Sequence, residues 1–265
     1  MRIYNPEGSL LRTDQKELVK MLKVFAKICE ENNIRWWLCS GTLLGAARHK
    51  GFVPWDDDVD VSMLKQDYRK LEKVLAKMDS EEFFFQSRKT DIEYVNVFGR
   101  FCRKDGMRDS PSPRYQYFKY KGIGFDIFSL EKSNRFAAHM AKFFYANLQH
   151  PTQYIRHTGL RRFCVRLVEA LCFGLLIPFS RLVGLVNPKK QYHYELGSGF
   201  YGSPFYEKDI FPLTEMEFEG EMFPVPGNTD AYLTELYGDW RQFPTEDQIR
   251  KSIHYKDYIR EIFGE

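Results

Sequence analysis

Trp55-Asp56-Asp57-Asp58-Val59-Asp60-Val61-Ser62-Met63 packs four carboxylates into positions 56–60, shortly after Gly41-Thr42-Leu43-Leu44-Gly45. Crowded like charges raise one another's affinity for protons, so such a cluster implies a bound cation. From Asp58 the stretch alternates as a strand does, with Asp58 and Asp60 on one face and Val59 and Val61 turned to the core. Two carboxylates side by side can bridge a divalent cation and a phosphate, which points to phosphoryl-transfer chemistry. Two plainer readings stand beside it. Asp-rich runs also cap turns or solvate loops, and Asp56, Asp58, Asp60 and Asp67 partly fit a calcium loop. That loop needs glycine where Val61 stands and a bidentate glutamate where Asp67 stands, so it fits poorly.

On the N-terminal side, Thr13 is expected to cap a helix carrying Leu18, Met21, Leu22, Phe25, Ile28 and Cys29 on one face, ended by Asn32-Asn33. Residues 34–39 read as a strand, and Ser40-Gly41-Thr42 turns the chain into a short helix through Ala47. Arg48 to Pro54 reads as a loop leading into the acidic strand at 58–63. On the C-terminal side, a helix is expected over about 66–77 and paired strands over 83–87 and 94–103. A long loop over 105–121 with Pro111 and Pro113 precedes a strand over 122–130, centred on Phe125-Asp126-Ile127-Phe128. Helices near 229–237 and 245–262 follow in the C-terminal part, Tyr201 to Glu265.

The length of 265 residues and 43% hydrophobic content suffice for a full core, and 16% aromatics argue against disorder. The net charge of +3 is unevenly spread. Residues 135–190 hold nine Lys or Arg against Glu169 alone, a local +8 that leaves −5 for the remainder. Phe136, Met140, Phe143, Phe144 and Leu148, then Phe163, Val165, Leu167, Val168, Leu171 and Cys172, predict two basic amphipathic helices there. Such helices are the solvated side of packed helices, an interfacial pair resting on an anionic membrane, or a groove for a polyanionic glycan or nucleic acid. No recognised nucleic-acid module accompanies the charge, so nucleic acid is not an expected partner.

The five cysteines (29, 39, 102, 164, 172) are scattered without zinc spacing and read as buried free thiols in a reducing compartment. Met1-Arg2-Ile3-Tyr4 opens no apolar signal region, and the apolar run 168–186 is interrupted by Glu169, Pro178, Ser180 and Arg181, which argues against a clean membrane span. A cytoplasmic location, peripheral at the inner face of the plasma membrane, is expected.

Three pieces recur in order: the Ser40-Gly41-Thr42 strand-to-helix turn, where glycine and helix-start amides favour a phosphate; the Asp58-x-Asp60 strand; and Asp126, a lone carboxylate on an apolar strand, costly to bury without a partner. These are working parts of a polymerase-β-type nucleotidyltransferase fold, in which carboxylates hold metals that polarise a diphosphate and align a hydroxyl. The expected class is therefore α+β, with a nucleotidyltransferase-like core and mixed sheet (1–134), a basic helical insert (135–195) and a C-terminal section packing back on the core (196–265).

Gly41 through Asp60 resembles the signature of the LicD family, phosphotransferases related to fukutin and the fukutin-related protein. Gly124-Phe125-Asp126-Ile127-Phe128 and the distant Phe218-Glu219-Gly220, Phe223-Pro224-Val225-Pro226 and Tyr237-Gly238-Asp239-Trp240 carry the resemblance further. Bacterial members move phosphocholine from CDP-choline to a sugar hydroxyl of a surface glycan such as lipopolysaccharide or teichoic acid, releasing CMP. The animal relatives use CDP-ribitol. The resemblance implies Mg²⁺ or Mn²⁺ held by Asp56, Asp58, Asp60 and Asp126, with Asp58, Asp60 and Asp126 catalytic and Asp126 the preferred base. Asp57 holds loop geometry instead. Ser40, Gly41, Thr42, Arg48, His49 and Trp55 are the expected substrate-binding residues.

The partners implied are a CDP-activated alcohol, most simply CDP-choline, and a glycan or lipid-linked oligosaccharide, with no structural zinc. A quaternary ammonium needs aromatic faces, and Trp36, Trp37, Trp55, Tyr115, Tyr117, Tyr120 and Trp240 are the candidates. A true nucleotidyltransferase, or a metal- or glycan-binding homologue without catalysis, remains the alternative.

Overall fold

The computed structural model describes residues 4–78, 80–198 and 203–264; the opening Met1-Arg2-Ile3 and the bounds Tyr201 and Glu265 lie outside them. The first helix, α1 (Leu10–Glu31), starts one turn before the expected cap. Ser9 accepts from the Arg12 amide, while the Thr13 hydroxyl donates back to the Ser9 carbonyl. The expected strand over 34–39 shrinks to β1 (Trp37–Leu38), followed by α2 (Ser40–His49), β2 (Asp60–Leu64) and α3 (Lys65–Leu75). Helix α2 therefore includes Arg48 and His49, and β2 begins at Asp60, leaving Asp58 in the irregular segment before it.

Strands β3 (Phe83–Gln86), β4 (Gly99–Arg103) and β5 (Gly124–Lys132) complete a sheet in the order β1-β2-β5-β4-β3. Residues 94–98, expected in a strand, lie outside β4; Tyr94 instead closes a turn on the Asp91 carbonyl. Only β2 and β5 run parallel, with Asp60 opposite Asp126; the other neighbouring pairs are antiparallel, so the sheet is mixed. On one face α1 packs through Phe25 against Phe101 and Phe125. On the other lie Asp126 and Phe128, the latter against Phe98 and Tyr194. The alternation that buries Phe125 and Ile127 under α1 is what turns Asp126 to the opposite side.

Helix α4 (Arg135–Phe144) leads into helical turns through Tyr154. Then α5 (Thr158–Leu171), a wide π-type turn and α6 (Ile177–Gly184) form one helical run, Thr158–Gly184. This 27-residue run is long and apolar enough to cross a membrane, by length and composition alone. The expectation that the apolar stretch was too interrupted is corrected to that extent. The run gains apolar turns upstream of Val168, and Glu169 and Arg181 are each neutralised by a residue elsewhere in the chain.

Strand β6 (Gln191–Tyr194) returns to pair with β5 and with β7 (Phe205–Tyr206), and α7 (Glu207–Ile210) follows. A separate hairpin of β8 (Thr214–Phe218) and β9 (Glu221–Val225) turns at Glu219-Gly220. Both turn residues take positive φ, as a tight two-residue hairpin turn requires. Helices α8 (Thr229–Tyr237), α9 (Glu246–Ser252) and α10 (Lys256–Phe263) close the fold. The last expected helix is thus broken at 253–255. All five cysteines are free; Cys164 is half-buried and the others are buried.

Candidate active site

The acidic cluster is held from both sides of the sheet and from distant parts of the chain. The Asp60 amide donates to the Thr42 hydroxyl at 2.8 Å, and the Cys39 amide donates to the Asp60 carbonyl at 3.1 Å. Ser40 opens α2 with φ +48°, a left-handed conformation uncommon outside glycine. At Gly41 a Cβ would sit 2.5 Å from Asp56 Oδ2. Only glycine therefore lets Asp56 lie against the start of α2. Beside it, β2–β5 pairing sets Asp126 next to Asp60, and antiparallel pairing sets Arg100 on the far side of Asp126.

The loop before the cluster is clamped by the β8–β9 turn. Glu219 takes two bonds from Arg12, at 3.0 and 2.7 Å, and one from the Phe52 amide at 3.1 Å. Its own amide donates to the Lys50 carbonyl, and a Cβ on Gly51 would lie 2.5 Å from its carboxylate. This explains why Phe218-Glu219-Gly220 accompanies Gly51 across so many residues. Gln15 of α1 donates to the Asp56 carbonyl at 2.8 Å. Asp57 is buried and accepts from the amides of His254 and Tyr255 and contacts His254 Nδ1 at 2.8 Å. Asp57 therefore fastens the 253–255 break between α9 and α10 to the cluster, the loop-holding part expected for it.

These clamps leave an open cleft of about 650 Å³ in which Asp56, Asp58, Asp60 and Asp126 converge. The wall also includes Ser40, Gly41, Arg48 and Lys251, and the aromatics Trp55, Tyr237, Trp240 and Phe243. Burial, then the charges of Asp58 and Asp57, hold the Asp56 carboxyl well above the ordinary carboxylate range. Burial, then Asp58 and Asp126, does the same to Asp60. Burial pushes Asp126 up to about 7 against the opposing charge of Arg100. His254 stands at the rim with its ring 59% exposed, 3.3 Å from Asp58, and that charge pulls its pKa well upward. Several carboxylates converging with only oxygen to offer form the donor set a hard divalent cation takes. Asp57, Asp58 and His254 also bring one donor atom each within 4.8 Å of one another.

Of the expected substrate-binding residues, Ser40, Gly41, Arg48 and Trp55 line this cleft. Thr42 and His49 do not: Thr42 is buried and spends its hydroxyl on Asp60, and His49 accepts from Arg48 Nε at 3.0 Å. Among the described residues Arg48 pairs with no carboxylate. It donates to the carbonyls of Trp240 and Gln242, and its guanidinium lies 4.6 Å from the Phe243 ring centroid. A cation at the cleft without a carboxylate partner suits an anionic ligand. Of the aromatic candidates, Trp55 and Trp240 line the cleft, whereas Trp36 and Trp37 belong to the core. The sequence reading missed Tyr237, Phe243 and His254. Tyr237 stands within the quoted Tyr237-Gly238-Asp239-Trp240 but was given no site role there; nothing near His254 signals a site.

The LicD/FKTN/FKRP nucleotidyltransferase-domain family matches residues 33–170, which include Asp56, Asp58, Asp60 and Asp126. This chain belongs to the LicD family. Over 94% of its length it is 26% identical to the lipopolysaccharide cholinephosphotransferase LicD of Haemophilus influenzae, covering 98% of that protein. Shorter stretches match the human ribitol 5-phosphate transferase FKRP (43% over 47 residues, 18% of this chain and 10% of that protein). The mouse ribitol-5-phosphate transferase FKTN matches at 36% over 55 residues, 21% of this chain and 12% of that protein. These LicD-family relatives are phosphotransferases, which supports transferase activity for this chain.

Proposed function

We propose that this LicD-family chain moves phosphocholine, or a related alcohol phosphate, from a CDP-activated donor to a hydroxyl of a cell-surface glycan or lipid-linked oligosaccharide. The observation that carries the reading is the convergence of Asp56, Asp58, Asp60 and Asp126 on one cleft with a carboxylate-free arginine and an aromatic wall. Mg²⁺ or Mn²⁺ held by these aspartates would neutralise the donor's diphosphate. Arg48 binds the phosphate oxygens, and Gly41 lets Asp56 lie beside the helix start, where the cation is held. Trp55, Tyr237, Trp240 and Phe243 offer flat faces to the pyrimidine and to a quaternary ammonium head.

The acceptor oxygen attacks the phosphorus bearing the alcohol, the bond to the CMP oxygen breaks, and the acceptor proton passes to Asp126. Asp126 stands directly across the β2–β5 pairing from Asp60, in place to take that proton. The fold reading belongs to the same proposal: a nucleotidyltransferase-like core over 1–134, a helical insert over 135–195 and a C-terminal section over 196–265. Peripheral contact with an anionic membrane at its cytoplasmic face completes it.

The test is incubation with CDP-choline, CDP-ethanolamine or CDP-ribitol, Mg²⁺ and a glycan acceptor extract, reading CMP. Release from one of them is expected, with a fall of more than about three orders of magnitude in Asp58→Asn and Asp60→Asn. No CMP from any CDP-alcohol would overturn the reading. Transfer of a nucleotide in place of the alcohol phosphate would select the nucleotidyltransferase alternative.

A further inference from the structure

The helical run Thr158–Gly184 presents two different sides. One is packed on the protein along its whole length. Arg161 at the start pairs with Glu93 at 3.0 Å, Glu169 in the middle with Arg88 at 3.3 Å, and Arg181 near the end with Glu131 at 3.0 Å. Val165, Cys172 and Ile177 are buried between these pairs. The other side carries Phe163, Leu167, Leu171, Leu175, Phe179 and Leu182 at spacings of three and four, each 43–64% exposed. Such spacing draws one stripe along the helix. Twelve of the 18 large exposed hydrophobics in the described chain fall within 135–190, too concentrated to be scattered surface residues.

We infer that this stripe lies flat in the interface of an anionic lipid bilayer, parallel to the membrane plane, and does not cross it. Charge complementarity identifies the occupant. Of the nine basic residues in 135–190, all but Arg161 and Arg181 are exposed, and the single acid, Glu169, is already held by Arg88. Helical geometry puts Arg162 and Arg166 on the flank between the buried side and the stripe, where lipid headgroups meet a half-sunk helix. A second copy docking about a two-fold axis would set two +8 surfaces against each other.

The ion pairs decide the orientation. They are spread over 20 residues, about 30 Å of helix, so a perpendicular helix would carry Glu93, Arg88 and Glu131 of the folded body into hydrocarbon. Lying flat, the helix keeps every one of them on the aqueous side.

This inference deepens the membrane contact proposed above, and its test needs no turnover, so its failure leaves the transferase reading standing. The full chain is sedimented with vesicles of equimolar phosphatidylglycerol and phosphatidylcholine, or of phosphatidylcholine alone, at low and high salt. Binding to the anionic vesicles is expected, weakened by salt, by about fivefold in Arg166→Ser and on the order of a hundredfold in the triple variant Phe163→Ser, Leu167→Ser, Leu175→Ser. These side chains are exposed, and circular dichroism checks that the variants fold. Tryptophan placed in turn at Phe163, Leu175 and Leu182 should be quenched by brominated acyl chains to equal extents. No vesicle binding at low salt, or unchanged binding of the triple variant, would overturn the inference. So would quenching that peaks at Leu175 and falls at both ends, with resistance to salt and carbonate extraction, because that is a spanning helix. A lipid-free dimer that the triple variant dissolves, without vesicle binding, would assign the stripe to self-association instead.

Discussion

Replacing Asp126 with asparagine should stabilise the metal-free protein in alkaline buffer while removing its activity. The carboxyl is raised from 3.8 to about 7, chiefly by burial. A raised pKa means that the folded state binds a proton the unfolded chain has already released. The associated stability is complete below about pH 4 and is lost as pH climbs through 7. The full displacement is worth about 4 kcal/mol. Asp126 is only half-buried and faces an open cleft, so screening leaves on the order of 2–4 kcal/mol. Asparagine keeps the shape and never ionises, so the variant's advantage should be small near pH 4 and grow by that amount by pH 8.

The assay is urea unfolding of both proteins with chelator across this range. Adding Mg²⁺ at pH 8 should then reverse the order, because the cation binds the native carboxylates and has one fewer in the variant. A stability difference that does not change between pH 4 and pH 8 would refute the account of Asp126 as a strained, cation-demanding carboxylate.

Gly41→Ala should cut CMP release by at least about tenfold with less than about 1 kcal/mol of lost stability, since its methyl displaces a single cleft aspartate; wild-type turnover would show that Asp56 need not lie against α2. Arg161→Met should cost on the order of 3 kcal/mol, because buried Glu93 loses two bonds and keeps the exposed Arg162 as its ion-pair partner. Adding Glu93→Gln should restore much of it in the same urea experiment, and a single variant as stable as the parent would show that the pair contributes little.

The acid cluster and Asp126 were legible because each breaks a local rule: four like charges within five positions, and one carboxylate in an apolar strand. Their adjacency rests on the parallel pairing of β2 with β5, which the alternation of each strand allows without dictating. Thr42 was readable as part of the turn, but its task was not. A hydroxyl at a helix start can meet a ligand or a neighbouring amide, and here the amide of Asp60 takes it. His254 and the Glu219 clamp were beyond sequence reasoning, for both act through contacts spanning some two hundred positions. Counting interruptions missed that the apolar run belongs to one continuous helical run, Thr158–Gly184. Glu169 and Arg181 interrupt it only until Arg88 and Glu131 neutralise them.

The contacts that fasten the cluster also order its assembly in time. Asp57 relies on amides at 254 and 255, and the loop at 50–52 relies on Glu219. A ribosome delivers the whole aspartate run long before either fastening exists. During synthesis these carboxylates are held only from the N-terminal side, by Gln15 and Thr42, and the cleft around them is incomplete. The chain acquires its chemistry only when its last fifth has been made and folded back, so a prematurely terminated product would carry the complete acidic signature and remain inert.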